Sequence, residues 1–201
     1  QSLSDNLADR RSLIIALGGG MVLDLAGFAA ATFMRGISSI YLPTTLLAQA
    51  DACLGGKVGF NYANKKNLIG SFSNPLRIIC DLDFLTSLPD RELKSGFAEI
   101  IKHGFISEDS LLEQILNIGL PLTAEQITPE LIQNSLSQKN KIISQDFKDQ
   151  NLRMALNFGH TAGHAFEMLS LKSAYPLLHG EAIALGMLYE MLLSQVLLNL
   201  P

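Results

Sequence analysis

The chain has four histidines, and three of them, His160, His164 and His179, fall in one short stretch. His160 and His164 stand four apart in GHTAGHAFE, so a helix would put both rings on one face. His179 opens the segment HGEA. Imidazole is a favoured zinc ligand, and an i, i+4 pair can present two nitrogens to one ion. A carboxylate partner would offset part of the metal's charge. Glu99 is the candidate, because it lies inside the apolar segment GFAEIIKHG, one turn from Lys102, and a buried Glu must be paired, protonated or metal-bound. Spacing alone leaves two readings open: a metal centre taking both His160 and His164, or capping and core histidines with surface carboxylates. His103, four residues from Glu99, also has ligand spacing.

A second group of residues suits anions. Gly18-Gly19-Gly20 follows a short apolar run and precedes a helical pattern. Glycines there allow close backbone approach, and a helix N-terminus supplies free N–H groups and a positive dipole end. The motif is not GxGxxG, and a tight strand-to-helix turn would use the same glycines. Asp24 would repel a phosphate and suits a hydroxyl or amide better. Gly55-Gly56-Lys57, then Lys65, Lys66 and Asn67, could gather around a phosphate or carboxylate. For any one of these lysines alone, a solvated loop explains it as well.

The elements that must position these groups follow from periodicity. Ser12–Leu17 (SLIIAL) has the pattern of a central parallel strand. Met21–Phe33 has helical character with Asp24 in its first turn, and Ser39–Leu42 is a second strand. Together they form a βαβ unit, expected to be right-handed. Thr44–Leu54 is expected as a helix, Gly55–Lys66 as a loop and Arg77–Asp81 as a third strand. Helical periodicity dominates from Arg91 onward, with breaks at 119–123, 150–152 and 173–178. This gives an α/β, Rossmann-like nucleotide-binding part over 1–89 and an all-helical metal- and substrate-binding domain over 90–201.

Composition excludes several classes. Lys plus Arg number 15 against 19 Asp plus Glu, a net charge of −4. With no basic cluster, a nucleic-acid partner is not expected. Hydrophobic residues at 48% and charged residues at 17% exclude a disordered chain. Two cysteines, Cys53 and Cys80, cannot build a disulfide framework, which points to a reducing, cytoplasmic setting; both are expected as small core residues. Residues 1–11 are polar, so no signal peptide is expected. Ser12–Phe33 carries one charge, but its glycines and an Asp24 costing roughly 2.5–3.5 kcal/mol at a bilayer centre favour a strand plus a helix over a membrane span. Ala182–Leu200, apolar nearly all round, is expected as a buried core helix.

The run GGGMVLDLAGFAAATFMRG, then LPTTLLAQADACLGGKVGFN, KNLIGSF, DLDFLTSLP, ELKSGFAEIIKHG, LNFGHTAGHAFE and LHGEAIALGM, closely resembles 3-dehydroquinate synthase, a member of the sugar-phosphate cyclases. The motifs occur in family order over nearly the whole chain, which resembles the central portion of the family's proteins. It begins at the strand before the glycine loop and stops before the last helices and the lysine they carry. The resemblance implies an NAD-dependent, zinc-dependent lyase, with cobalt possible as the metal. It would convert 3-deoxy-D-arabino-heptulosonate 7-phosphate to 3-dehydroquinate and phosphate in the shikimate pathway. It implies Glu99, His160 and His179 as metal ligands, with His164 facing the substrate phosphate. NAD would contact Gly20, Met21, Val22, Leu23, Asp24, Thr44, Thr45, Lys57, Lys66, Phe84, Leu85, Thr86 and Ser87. The substrate would meet Asp51, Lys57, Lys66, Asn67, Lys102, Lys139, Arg153, Asn157 and His164. Of these, Lys102, Lys57, Asp51 and His164 are the residues expected to take part in catalysis. Arg35 matches an arginine that the family reaches across a homodimer interface. His103 is not a ligand position in the family.

Three departures stand out. Leu23 occupies a position usually held by Gly. The pattern DSSVGGK is here Asp51-Ala52-Cys53-Leu54-Gly55-Gly56-Lys57, and the acidic stretch before Arg153 is Asp146-Phe147-Lys148-Asp149. Three other functions are compatible with parts of the pattern. A 2-epi-5-epi-valiolone or 2-deoxy-scyllo-inosose synthase would not need the carboxylate-binding pair Lys139 and Arg153. A glycerol dehydrogenase type would release NADH, and a non-catalytic descendant would have lost a metal ligand.

Overall fold

In the computed structural model, residues 2–63, 65–107 and 110–199 are described, with the backbone alone for 65–67. After a short turn of helix α1 (Ser2–Asp5), strand β1 (Leu13–Gly18) leads into helix α2 (Gly20–Thr32) and strand β2 (Ser38–Pro43). A hairpin follows, β3 (Lys57–Tyr62) and β4 (Lys65–Phe72), and then the short strand β5 (Arg77–Ile78). The rest is helical: α3 (Asp90–Ile106), α4 (Leu111–Leu116), α5 (Pro129–Gln145), α6 (His160–Ser170) and α7 (His179–Leu198). Shorter 3-10 turns at Leu82–Ser87 and Leu152–Asn157 connect them.

β1, β2 and β5 form one parallel sheet in the order β1-β2-β5, and β3 pairs antiparallel with β4. The βαβ unit is therefore present, and among the described residues its first strand lies at the edge of the sheet. Among the described residues β1 has one neighbour, and Leu13, Ile15 and Leu17 are exposed while Ala16 is buried. An apolar run signals a strand that can be covered on both faces; it does not say how many neighbours the described residues supply. The segment expected as a loop from Gly55 to Lys66 is mostly hairpin. Glycines mask strand character, and here Gly59 and Gly70 face each other so closely that a Cβ on either would meet backbone at 2.6–2.7 Å. The third strand is only two residues long, because Asp81 turns the chain by accepting a hydrogen bond from the Asp83 amide.

The expected helix at Thr44–Leu54 is a single turn that widens into a π turn at Ala48–Ala52, where the Cys53 amide bonds to the Ala48 carbonyl. Such turns re-aim side chains and recur at functional sites. Here it carries Asp51. Two cores flank it. One joins Leu46, Ala50 and Leu85 to Leu93 and Ile100 of α3, Leu111 and Ile115 of α4, and Leu131 and Ile132 of α5. The other joins Ala16, Leu23, Tyr41, Ala48 and Cys53.

α3 is buried on two faces. Leu93, Gly96 and Ile100 face the first core, while Glu99, Lys102 and His103 point elsewhere and are also buried. Asp90 and Glu92 in its first turn suit the positive end of the helix dipole. α5 begins with Thr128 accepting from the Leu131 amide and Pro129 as its first residue. The expectation that α7 is a core helix holds only for its first half. Ala182, Ile183 and Met187 are buried against neighbours, whereas Leu188, Leu192, Val196 and Leu197 are exposed. A sequence apolar on all sides cannot say which side is covered, and among the described residues the buried positions of α7 end at Met187. By length and composition α7 would also be long and apolar enough to cross a membrane.

Candidate metal centre and adjoining pocket

His160 and His179 are the first residues of α6 and α7, and the packing of these helices brings the rings together, with centroids 5.5 Å apart. Four local devices set the two helix starts. Gly159 before α6 has φ 78°, a left-handed conformation suited to glycine. The Glu190 carboxylate, from α7, accepts from the amides of Gly159 (2.7 Å) and Ala162 (3.3 Å). At the other start, Glu181 accepts from the Leu178 amide at 2.8 Å and from the Arg91 guanidinium, and the Gly180 amide donates to Ser95 Oγ of α3 at 3.0 Å. The α3–α7 contact is so close that a Cβ on Gly180 would lie 1.8 Å from the Ser95 carbonyl oxygen.

Between these starts sits the Glu99 carboxylate, fully buried. Its Oε1 lies 3.4 Å from His179 Nε2 and 3.7 Å from His160 Nε2. The other ring nitrogens are already used. His160 Nδ1 faces the Phe158 carbonyl at 3.2 Å, so it carries the proton and leaves a lone pair on Nε2. His179 Nδ1 faces Glu167 Oε2 at 3.4 Å, which favours the same tautomer. Three acceptors therefore converge with no proton assigned between them, and Glu99 Oε1 has no aligned hydrogen-bond donor. The missing partner has the chemistry of a cation. Ligands bonded at 2.0–2.1 Å around a tetrahedral ion stand about 3.4 Å apart, close to the separations observed. The residues present fit a divalent metal.

The electrostatics agree. Burial and the nearby Asp51 charge push the Glu99 carboxyl up, but Lys102, His179 and His160 outweigh them and hold it at about 2. Burial lowers His160, with Glu99 only partly compensating, so that ring is neutral. Burial also lowers His179, but Glu99 and Glu167 overcome it and raise the ring, so a proton can stand in for the cation there. Two further groupings have ligand spacing: His164 with Glu167 and His179, and Asp51 with Glu99 and His103. The first would use the His179 nitrogen already turned to Glu167. The second already holds ammonium groups, because Lys102 pairs with Glu99 Oε2 and Lys139 Nζ lies 2.9 Å from Asp51 Oδ1.

Beside the centre, Asp51 gathers cations. Lys102 Nζ is 3.7 Å away, and Lys139 also donates to the Asp51 carbonyl at 2.5 Å. Burial raises Asp51, yet Lys139, Lys102 and His103 hold it well below the usual carboxylate range. Burial lowers Lys102, but Asp51 and Glu99 raise it further. Arg153 is buried and donates to the carbonyls of Phe147 (2.6 Å) and Gly55 (2.9 Å), so two of its N–H groups brace the loops around the site. Asp146 folds the same loop by accepting from the amides of Gln150, Asn151 and Arg153. Lys57 pairs with Asp149 at 2.5 Å and shares a cavity of about 310 Å³ with Asp24.

The remaining expected positions are spread around this centre. His164 is exposed, its ring 5.3 Å from that of His160, and Asn157 is exposed at the end of its 3-10 turn. Helix α2 begins at Gly20 with no side-chain cap, so Asp24 is beyond the first turn. Met21 and Val22 are exposed, but the Leu23 side chain is fully buried in the core and faces away from the loop. Thr45 Oγ1 accepts from the Ala48 amide, and its methyl would lie 3.2 Å from a Cβ on Gly19; the Thr44 amide bonds to the Gly18 carbonyl. The glycines thus let β2 and the π turn close on the loop. In the turn Phe84–Ser87, Leu85 is buried in the core and Thr86 donates to the Asp83 carbonyl. A cavity of about 850 Å³ adjoins Asp81, Leu82 and Asp83. Arg35 is exposed, in a left-handed turn with φ 71°. The side chains of Lys66 and Asn67 lie outside the described residues. Glu167, Glu190, Ser95 and Ser135 were not singled out from sequence; the one available signal was Glu167, three residues after His164 in GHAFE.

Comparison with known proteins places this architecture. A structure of 2-deoxy-scyllo-inosose synthase complexed with carbaglucose-6-phosphate, NAD+ and Co2+ superposes with a TM-score of 0.86 at 31% identity, over 100% of this chain and 55% of that one. A structure of 2-epi-5-epi-valiolone synthase from Streptomyces hygroscopicus with NAD+ and Zn2+ bound gives 0.84 at 27%, over 100% and 61%. In fold the chain stands with the sugar-phosphate cyclases, a Rossmann-like nucleotide-binding part followed by a helical part. The family model described as 3-dehydroquinate synthase N-terminal matches residues 1–95, and that described as 3-dehydroquinate synthase C-terminal matches 96–201. The chain belongs to the 3-dehydroquinate synthase family. The relative from Parabacteroides distasonis, a 3-dehydroquinate synthase, is 45% identical over 200 residues, 100% of this chain and 57% of that protein. The chain spans about half the length of the curated relatives it matches.

Proposed function

We propose that this chain carries the metal-binding and much of the substrate-binding machinery of a 3-dehydroquinate synthase. The reaction converts 3-deoxy-D-arabino-heptulosonate 7-phosphate to 3-dehydroquinate and phosphate. The observation that carries the reading is the convergence of Glu99 Oε1 with Nε2 of His160 and Nε2 of His179 beside a lysine–aspartate cluster. Residues 1–89 form the nucleotide-binding domain and 90–201 the metal- and substrate-binding domain, in a cytoplasmic homodimer.

Glu99, His160 and His179 would hold a zinc or cobalt ion. NAD would lie along Gly20–Asp24, Thr44, Thr45, Lys57 and the turn Phe84–Ser87. When bound, the ion would supply Lewis-acid polarisation of a substrate hydroxyl and NAD a reversible hydride acceptor. The chain's own groups do the rest. Lys102 sits against Glu99 and beside Asp51, where it can hold or release a proton at the reacting hydroxyl. Asp51 orients substrate hydroxyls while Lys139 fixes its carboxylate. Lys139 and Arg153 face the substrate carboxylate, and Lys57, His164, Asn157 and a partner protomer's copy of Arg35 meet the phosphate.

The test uses the full-length protein with NAD and zinc. Phosphate release from the heptulosonate phosphate, with no net NADH, is expected. Net NADH from a simple alcohol, or turnover only of a sugar phosphate lacking the carboxylate, would refute the assignment. Glu99→Gln should abolish turnover and deplete bound metal while far-ultraviolet circular dichroism stays unchanged.

A further inference from the structure

His103 has no place in the chemistry above, yet it is fully buried at the crossing of α3 and α5. Its Nδ1 is 2.7 Å from Ser135 Oγ, and Ser135 is also fully buried. Its Nε2 is 3.3 Å from Asp51 Oδ1. His103 Nε2 has no aligned hydrogen-bond partner among the described residues, and Asp51 Oδ1, which also faces Lys139 Nζ at 2.9 Å, is the acceptor it points to. Ser135 and Lys139 stand one turn apart on α5, and both act on Asp51, the lysine directly and the serine through the ring. A buried polar triplet between packed helices is costly unless its members satisfy one another.

We propose that His103 is a positioning residue for Asp51. Ser135 O–H donates to His103 Nδ1, and His103 Nε2–H donates to Asp51 Oδ1, fixing the carboxylate that faces substrate. The direction of the chain follows from chemistry. Asp51 is ionised and can only accept, so Nε2 must carry the ring proton. A neutral ring then has a lone pair on Nδ1, and only the serine hydroxyl can donate to it. Burial, which outweighs Asp51, lowers the imidazole and keeps it neutral. The role of Asp51 toward substrate rests on the proposed function; the tautomer does not.

Two measurements on the full-length, metal- and NAD-loaded protein decide the matter. In [15N]histidine-labelled protein, the His103 resonances, identified by their loss in His103→Gln, should show a protonated Nε2 and an unprotonated Nδ1. A protonated Nδ1 overturns the proposal. In kinetics, His103→Leu should raise KM for the sugar phosphate roughly 10- to 100-fold, the size expected for losing a buried hydrogen bond to a charged group. His103→Gln, whose amide can still donate to Asp51, should restore KM to within about threefold of the parent. KM unchanged in both variants, with only the amount of active protein reduced, would assign His103 a purely structural role and refute the proposal. The expected tautomer without turnover of the heptulosonate phosphate would support the relay while counting against the reaction proposed for the site.

Discussion

Gly180 offers a direct way to pull the candidate metal centre apart without touching a ligand. A methyl group there would sit 1.8 Å from the Ser95 carbonyl oxygen, and 2.5 Å and 2.8 Å from the Ser95 C and Cα atoms. All three are backbone atoms of α3, so no side chain can rotate away. Reaching an ordinary contact of 3.4 Å needs a displacement of 3.4 − 1.8 = 1.6 Å of the start of α7 relative to α3. His179 is the preceding residue, and Glu99 is one turn beyond Ser95. If the displacement adds fully, the 3.4 Å between Glu99 Oε1 and His179 Nε2 opens to 3.4 + 1.6 = 5.0 Å. Two ligands bonded at 2.0–2.1 Å to one ion can be at most about 4.2 Å apart. Gly180→Ala should therefore lose zinc affinity by at least about tenfold and, through overpacking, destabilise by about 1–3 kcal/mol. Chelator competition would measure the affinity and denaturant unfolding the stability. Gly119→Ala is the control, since its methyl would find nothing nearer than 3.7 Å. A Gly180→Ala protein with parental zinc affinity would refute the claim that α3–α7 contact sets the ligand geometry.

Leu23→Gly should cost about 3–5 kcal/mol, because the side chain is fully buried and its loss leaves a cavity beneath a helix; thermal unfolding will show it. Burial raises Asp24 to about 6, with Lys139 opposing and Asp51 adding to the rise. The unfolded carboxyl ionises near 4, so the folded state binds more protons between about pH 4 and 6, and stability falls as pH rises through that window. Asp24→Asn should flatten this fall and gain about 1 kcal/mol at pH 7 after allowance for its partial solvation, as read from denaturant midpoints across pH. Glu190→Ala should free two amides at the start of α6 and cost about 1–2 kcal/mol, with faster hydrogen exchange at Gly159 and Ala162 as the local signature.

How far the sequence carries depends on whether the signal is local. The turn from β1 into α2 and the helices bearing Glu99, His160 and His179 were legible, because glycine runs and 3.6-residue periodicity act over a few residues. The hairpin was not: its strands are polar and glycine-bearing, and their pairing is a contact across the hairpin. The π turn at Ala48–Ala52 leaves no mark in a row of Ala, Gln and Asp. In the site, residue type and spacing could name Glu99 and three imidazoles but could not choose between His160 with His164 and His160 with His179. That choice depends on how α7 docks beside α3 and α6, which Gly180 decides on the first side and Gly186 and Glu190 on the second, by tertiary contact. The supporting Ser135, Glu167 and Ser95 are ordinary polar residues until the helices meet.

The charge inventory of the site bears on what it can bind. Asp51 and Glu99 contribute two negative charges, and Lys102 and Lys139, within or beside the same cluster, contribute two positive ones. Lys57 is balanced by Asp149. The protein alone is thus close to neutral there, which is what permits so many ionisable groups to be buried together, since unpaired charges would each cost several kcal/mol. On the function proposed above, a divalent ion held by Glu99, His160 and His179 would add two positive charges to that cluster, partly offset by Glu167 beside His179, while the Arg153 charge is opposed by Asp146 and Asp149. The excess is then matched by the substrate rather than by the protein. A ligand bearing a carboxylate and a phosphate complements that excess, whereas a neutral polyol would leave it uncompensated. The same inventory explains why the lysines point at carboxylates in this structure, Lys102 at Glu99, Lys139 at Asp51 and Lys57 at Asp149: each ammonium is held by a charge of the opposite sign.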